Sequence, residues 1–160
     1  MDSFSLYPFK FQPILKSKIW GGQKLGTLLN KELSTMENCG ESWEISGVEE
    51  DQSIVGNGFL SENEINDLVE TYMGDLVGEH VFEKFGNQFP LLFKYIDAND
   101  NLSVQVHPND TLALQRHGCF GKTEMWYVVD ADADATLISG FNQPTTKESY
   151  LNALETGKIK

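Results

Sequence analysis

Short runs of alternating polar and apolar residues, joined by turns and interrupted by helices, predict a mainly β fold. The pattern favours an antiparallel sandwich or barrel over a βαβ sheet. Three observations carry this expectation. Ser42–Ser46 (SWEIS) alternates, which puts Trp43 and Ile45 on the buried face of a strand. Leu102–His107 (LSVQVH) alternates strictly and is ended by Pro108. Glu124–Val129 and Ala135–Ser139 read as two more strands around an acidic turn, Asp130–Asp134.

The remaining elements follow in chain order. Residues 4–58 are broken by Gly and Pro into short strands and loops. Ser61–Glu64 (SENE) has the form of a capping box, and Ile65, Leu68, Val69, Tyr72 and Met73 then fall at helical spacing. A second short helix or turn covers 75–85, so 61–85 reads as a helical insertion. Leu91–Asp97 (LLFKYID) is a strand that runs into an Ala-Asn-Asp-Asn turn. Asn109 or Asp110 caps a helix from Thr111 to His117, which Gly118 closes. Thr145–Glu148 caps a last helix through Tyr150, Leu151 and Leu154, stopped at Gly157.

Composition narrows the function. The 160 residues suit one domain, and 40% hydrophobic with 11% aromatic residues are enough for a core. Twelve Lys and Arg against 24 Asp and Glu give a net charge of −12, which repels a phosphate backbone and an anionic membrane surface. No apolar run approaches the ~20 residues of a membrane span. Met1-Asp2-Ser3-Phe4 carries an acid where a secretory signal carries base, so a cytoplasmic protein is expected. Cys39 and Cys119 lack CxxC spacing and read as reduced thiols. The sequons at Asn101 and Asn109 are chance matches in such a protein.

The strand 102–107 carries the chemistry. Period two sets Leu102, Val104 and Val106 on one face and Ser103, Gln105 and His107 on the other. Gln105 and His107 can offer an amide oxygen and an imidazole nitrogen to one cation, and Glu124 can add a carboxylate. That donor set suits Zn²⁺ or a similar divalent metal with an open position. A histidine on a strand also serves as a hydrogen-bonded surface or core residue, and spacing admits both readings. Lys94 sits mid-strand between Phe93 and Tyr95, and Lys122 lies two residues before Glu124. In so acidic a chain they can form a local positive pocket for an anionic substrate, or stand as solvated strand lysines.

Four segments together resemble a known family: Gly40–Ser46 (GESWEIS), Phe89–Tyr95 (FPLLFKY), Leu102–Asp110 (LSVQVHPND) and Gly121–Tyr127 (GKTEMWY). With Tyr7–Phe11 (YPFKF) and Ile19–Gly22 (IWGG), they are similar to class I mannose-6-phosphate isomerases (phosphomannose isomerases) of the short bacterial type. The likeness runs over roughly 7–141. It implies a cupin, an antiparallel β jelly roll, with one zinc ion inside. By motif, Gln105, His107 and Glu124 correspond to zinc ligands, and Ser103, Lys94 and Lys122 to positions lining a sugar-phosphate pocket. Catalytic roles are implied for Lys122 and for Glu41 of the GESWE motif. The implied reaction interconverts mannose 6-phosphate and fructose 6-phosphate; a zinc-bound water, a carboxylate or a lysine can each serve as its general acid/base.

The family's fourth ligand, a histidine in a later Gly-Asp…Pro-x-Gly-x-x-His segment, and a following catalytic arginine have no counterpart here. His80 and His117 lie in helical or turn regions, and Arg116 is the sole arginine. The resemblance therefore implies the N-terminal part of one catalytic domain over 1–160, an incomplete barrel, and weak or absent turnover. Unpaired strand edges predict dimerisation, strand exchange or ordering by lattice neighbours. A cupin-like module that binds a sugar or sugar phosphate without turnover is the competing reading.

Two further patterns are turn chemistry. Gly118–Thr123 (GCFGKT) lacks the first glycine of a phosphate loop, whose place Arg116 takes. Asp130, Asp132 and Asp134 are followed by Ala135 where a calcium loop needs Gly. Trp20, Trp43 and Trp126 read as core or pocket-wall aromatics.

Overall fold

A computed structural model describes residues 6–159. Met1-Asp2-Ser3-Phe4, read above for a targeting signal, lies outside the described residues. The chain forms two compact units, Met1–Leu102 and Ser103–Lys160.

The first unit is built on an open three-stranded antiparallel sheet in the order β1 (Ile14–Gly22), β2 (Cys39–Ser46), β3 (Leu92–Ile96). Helix α1 (Lys24–Thr27) follows β1, and a 3-10 turn (Glu49–Asp51) follows β2. The expected helical insertion is present as α2 (Ile65–Tyr72), α3 (Gly74–Val77) and α4 (Glu79–Phe85). Ile65, Leu68 and Val69 are buried, as their spacing predicts, while Met73 is exposed at a positive φ that ends α2.

The start of α2 differs from expectation. The Ser61–Glu64 box does not form; Glu64 makes no side-chain cap, and Ser61 Oγ donates to Val55 O. The first amides of α2 are taken by a distant crossing of the chain instead. Ile65 N donates to Ser53 O at 3.0 Å and Asn66 N to Gln52 Oε1 at 3.2 Å. A tertiary partner here meets the need that a local cap would have met.

The buried face of β2 also differs. Ser42 and Ser46 are fully buried, whereas Trp43 and Ile45 are half-buried. Every residue of β2 is buried or half-buried, so alternation alone does not say which face is drier. Leu15, paired with Ser42, packs on the core of Leu25, Leu33 and Cys39 with Leu29 and Met36. The buried serines are satisfied: Ser42 Oγ donates to Glu44 Oε1 at 2.6 Å, and Ser46 Oγ accepts from Val48 N.

The second unit contains α5 (Asp110–His117) and α6 (Lys147–Glu155). The cap of α5 is the expected one, whereas that of α6 is shifted by one residue from the expected Thr145–Glu148 box. Asn109 Oδ1 accepts from Leu112 N at 3.0 Å, and Gly118 closes α5 in the left-handed conformation. Thr146 caps α6, with Ser149 completing the box. The strands expected at 102–107, 124–129 and 135–139 are not formed among the described residues. Alternation confers a tendency that becomes a strand only against a hydrogen-bonding neighbour. Val104, Val106, Met125 and Tyr127 are accordingly exposed.

Candidate functional site

Glu41 and Lys94 meet on one face of the sheet in the first unit. The register sets Lys16 and Ile96 opposite Glu41, and Ile14 and Lys94 opposite Trp43. Lys94 Nζ donates to Glu41 Oε1 at 3.0 Å, and Trp43 Nε1 donates to Glu41 Oε2 at 2.9 Å. Lys18 Nζ stands 3.8 Å from the same oxygen. Burial pushes the Glu41 carboxyl up, but the Trp43 and Lys94 hydrogen bonds and the Lys94 and Lys18 charges outweigh it. The carboxyl is held below its ordinary range. Gly40 makes room for this arrangement, because a Cβ there would meet Lys18 Cβ and Cγ at 2.6 Å and Trp20 Cζ3 at 2.7 Å.

The cluster explains a charge in the middle of β3. Lys94 is half-buried while its neighbours Phe93 and Tyr95 are exposed, the reverse of a solvated strand lysine. The Trp43 donor and the Lys18 charge escaped the sequence reading, which took Trp43 for a core or pocket-wall ring. Its signal is the i, i+2 spacing from Glu41 on one strand face.

The second unit brings His107, Glu124 and Lys122 together. His107 Nε2 lies 3.4 Å from Glu124 Oε2, and Lys122 Nζ lies 3.5 Å from Glu124 Oε1. Each carboxylate oxygen therefore faces one partner. Gln105 Nε2 donates to Ser103 Oγ at 3.0 Å, so the oxygen a cation would take is not spent on that bond. Asp110 Oδ1 accepts from Gly121 N at 2.9 Å and ties the loop before Lys122 to the start of α5.

The donor chemistry fits zinc. With metal–ligand bonds near 2.1 Å at tetrahedral angles, two ligand atoms stand about 3.4 Å apart, the spacing of His107 Nε2 and Glu124 Oε2. His and Glu with an amide oxygen make a three-donor set. Among the described residues no group of three His, Cys, Asp or Glu side chains gathers, so Gln105 is required for a third. His80 and His117 lie on α4 and α5. Both cysteines are free, and no described helix is long and apolar enough to cross a membrane.

The chain is similar to known proteins along most of its length. The sequence pattern of the catalytic domain of type I phosphomannose isomerase matches residues 8–136. Mannose-6-phosphate isomerase ManA of Bacillus subtilis is 39% identical over 153 residues, 94% of this chain and 46% of that protein. A crystal structure of the mannose 6-phosphate isomerase from Bacillus subtilis superposes with a TM-score of 0.75 at 30% identity, covering 94% of this chain and 46% of that one. A zinc-bound mannose 6-phosphate isomerase structure gives 0.56 at 26% identity, covering 66% of this chain and 26% of that one. The chain thus spans about half the length of the curated relatives it matches. The fold class is the expected one, a cupin-type antiparallel β fold with helical insertions and a barrel left open.

Proposed function

The chain belongs to the type I phosphomannose isomerases, and we propose that the protein interconverts mannose 6-phosphate and fructose 6-phosphate with one zinc ion held by Gln105, His107 and Glu124. The observation that carries the metal site is the 3.4 Å between His107 Nε2 and Glu124 Oε2. In this reading residues 1–160 are the N-terminal part of a single cupin-type catalytic domain, in a cytoplasmic enzyme that keeps both thiols reduced.

Isomerisation moves a proton between C2 and C1 of the sugar through an enediol-like intermediate, so negative charge develops on a sugar oxygen. Zinc, when bound, supplies a Lewis acid for that charge. Glu41, kept as a carboxylate by Trp43 and Lys94, acts through its charge, holding the Lys94 ammonium in place. Lys122 Nζ, 3.5 Å from Glu124 Oε1, orients Glu124 by charge. Ser103, Lys94 and Lys122 bind the sugar phosphate, so contacts remote from the reacting carbons supply binding energy.

We assign turnover to the whole protein. His80 and His117 stand on helices, so the 160 residues offer three of the four implied ligands and turn over weakly or not at all by themselves. The test is a coupled mannose 6-phosphate assay, with and without chelator, on a sample whose zinc content is measured. One zinc per chain, lost in His107→Ala and Glu124→Ala, is expected. Zinc retained by both variants removes the site. Sugar-phosphate binding that chelator leaves unchanged, with no turnover by the whole protein, establishes a binding module instead.

A further inference from the structure

Trp43 touches most members of the charged cluster on the sheet. Its indole N–H donates to Glu41 Oε2 at 2.9 Å. Lys16 Nζ lies 4.9 Å and Lys94 Nζ 5.9 Å from its ring centroid, both within cation–π range. Lys16 is in turn ion-paired with Asp51 of the 3-10 turn. Among the described residues, Lys16 and Lys18 of β1, Lys94 of β3 and Asp51 are charged groups paired within this cluster. The ring joins the Lys16–Asp51 pair to the Lys94–Glu41 pair.

The donor matters more than the ring. An indole nitrogen donates and does not accept. At 2.9 Å from Oε2 it is compatible with an unprotonated oxygen and opposes a proton there. The Glu41 side chain is 9% exposed, so little water can replace that donor. Among the described residues, Lys94 Nζ has the Glu41 carboxylate as its close anionic partner, at 3.0 Å. Loss of the N–H therefore acts on the place and charge of both groups.

We propose that Trp43 is a positioning residue, whose N–H fixes the Glu41 carboxylate and through it the Lys94 ammonium where the sugar phosphate binds. The sugar-phosphate clause rests on the function proposed above; the link from Trp43 to Glu41 and Lys94 does not. The direction of the Glu41 carboxyl agrees: burial drives it up, and the Trp43 bond heads the opposing effects that bring it below the ordinary range.

The test uses the 160-residue chain with 13C-labelled glutamate, following the Glu41 carboxyl carbon by NMR through the acid range. Two variants are compared with wild type. Trp43→Phe keeps an aromatic face, and Trp43→benzothienylalanine keeps the indole's shape with sulfur in place of N–H. The Glu41 midpoint is expected to rise in both, and the wild-type Trp43 N–H resonance to shift with the Glu41 midpoint. An unchanged midpoint in the benzothienylalanine variant, whose packing is preserved, overturns the proposal whether or not Trp43→Phe folds. Calorimetry with mannose 6-phosphate is the second readout, with affinity expected to fall about tenfold in both variants. If the wild-type chain binds no sugar phosphate, the sugar-phosphate clause fails while the Glu41 titration still decides the role of Trp43.

Discussion

Lys94 Nζ donates to Glu41 Oε1 at 3.0 Å, joining β3 to β2 across 53 residues of sequence. The pair gives a charge between Phe93 and Tyr95 its physical reason. A lysine can leave bulk water when a carboxylate receives it, and Glu41 is itself stabilised by Trp43 and Lys18. Single pieces of this cluster are therefore expected to fail in company.

Glu41→Gln should destabilise the first unit by about 1–3 kcal/mol at neutral pH. The folded Glu41 carboxyl lies below its ordinary value, so its contribution is present above the unfolded value, about 4.3, and is lost as pH falls through the folded one. The stability gap between wild type and Glu41→Gln should shrink on acidification below about pH 4. Urea midpoints across that range measure it, and a gap that stays constant refutes the assignment.

Gly40→Ala should lower stability by about 1–3 kcal/mol, since its Cβ would run into the Lys18 stem and the Trp20 ring. Both obstacles sit on β1, so the substitution pushes β1 from β2. Urea unfolding checks the cost, and an unchanged midpoint would mean that β1 shifts freely.

The two thiols should differ sharply in reactivity. Cys119 is exposed, while Cys39 is buried and burial pushes its thiol up. Ellman's reagent should titrate one thiol in the native chain and the second only in denaturant. Prompt reaction of both would contradict the packing of Cys39 with Leu25 and Leu33.

Asp110→Ala should weaken zinc binding about tenfold without touching a ligand. It removes the bond from Gly121 N that ties the loop carrying Lys122 and Glu124 to α5. Competition against a chromophoric zinc chelator reads the loss, and equal affinities would show that the loop holds its place unaided.

Self-association should rise with concentration. Val104, Val106, Met125 and Tyr127 are 70%, 88%, 91% and 85% exposed in segments of alternating strand pattern. Sedimentation velocity should show larger species at higher loading, reduced in Val106→Lys. A monomer at every concentration removes the expectation.

The nearness of His107, Glu124 and Lys122 was legible in the residues, and His107 and Lys122 stand 3.4 and 3.5 Å from the Glu124 carboxylate oxygens. The pairing of Lys94 with Glu41 was not legible, because β-strand register is set by many contacts at once rather than by either residue. Trp43 reads as a core or pocket-wall ring, and only the strand face shared with Glu41 shows that its N–H has a partner.

The sequence by itself determined both ends of α5 and the close of α6, where Asn109, Gly118 and Gly157 act within a turn of their own helices. It also determined that the chain carries zinc-type donors in an acidic background. Only the tertiary structure decided that Gln52 and Ser53, not Ser61, receive the first amides of α2, and that Ser42 rather than Trp43 faces the dry side of β2. Caps are closed by neighbours in the chain, so they can be read locally. Faces and pairings go to whichever distant partners bury the most apolar area while leaving no polar group unsatisfied.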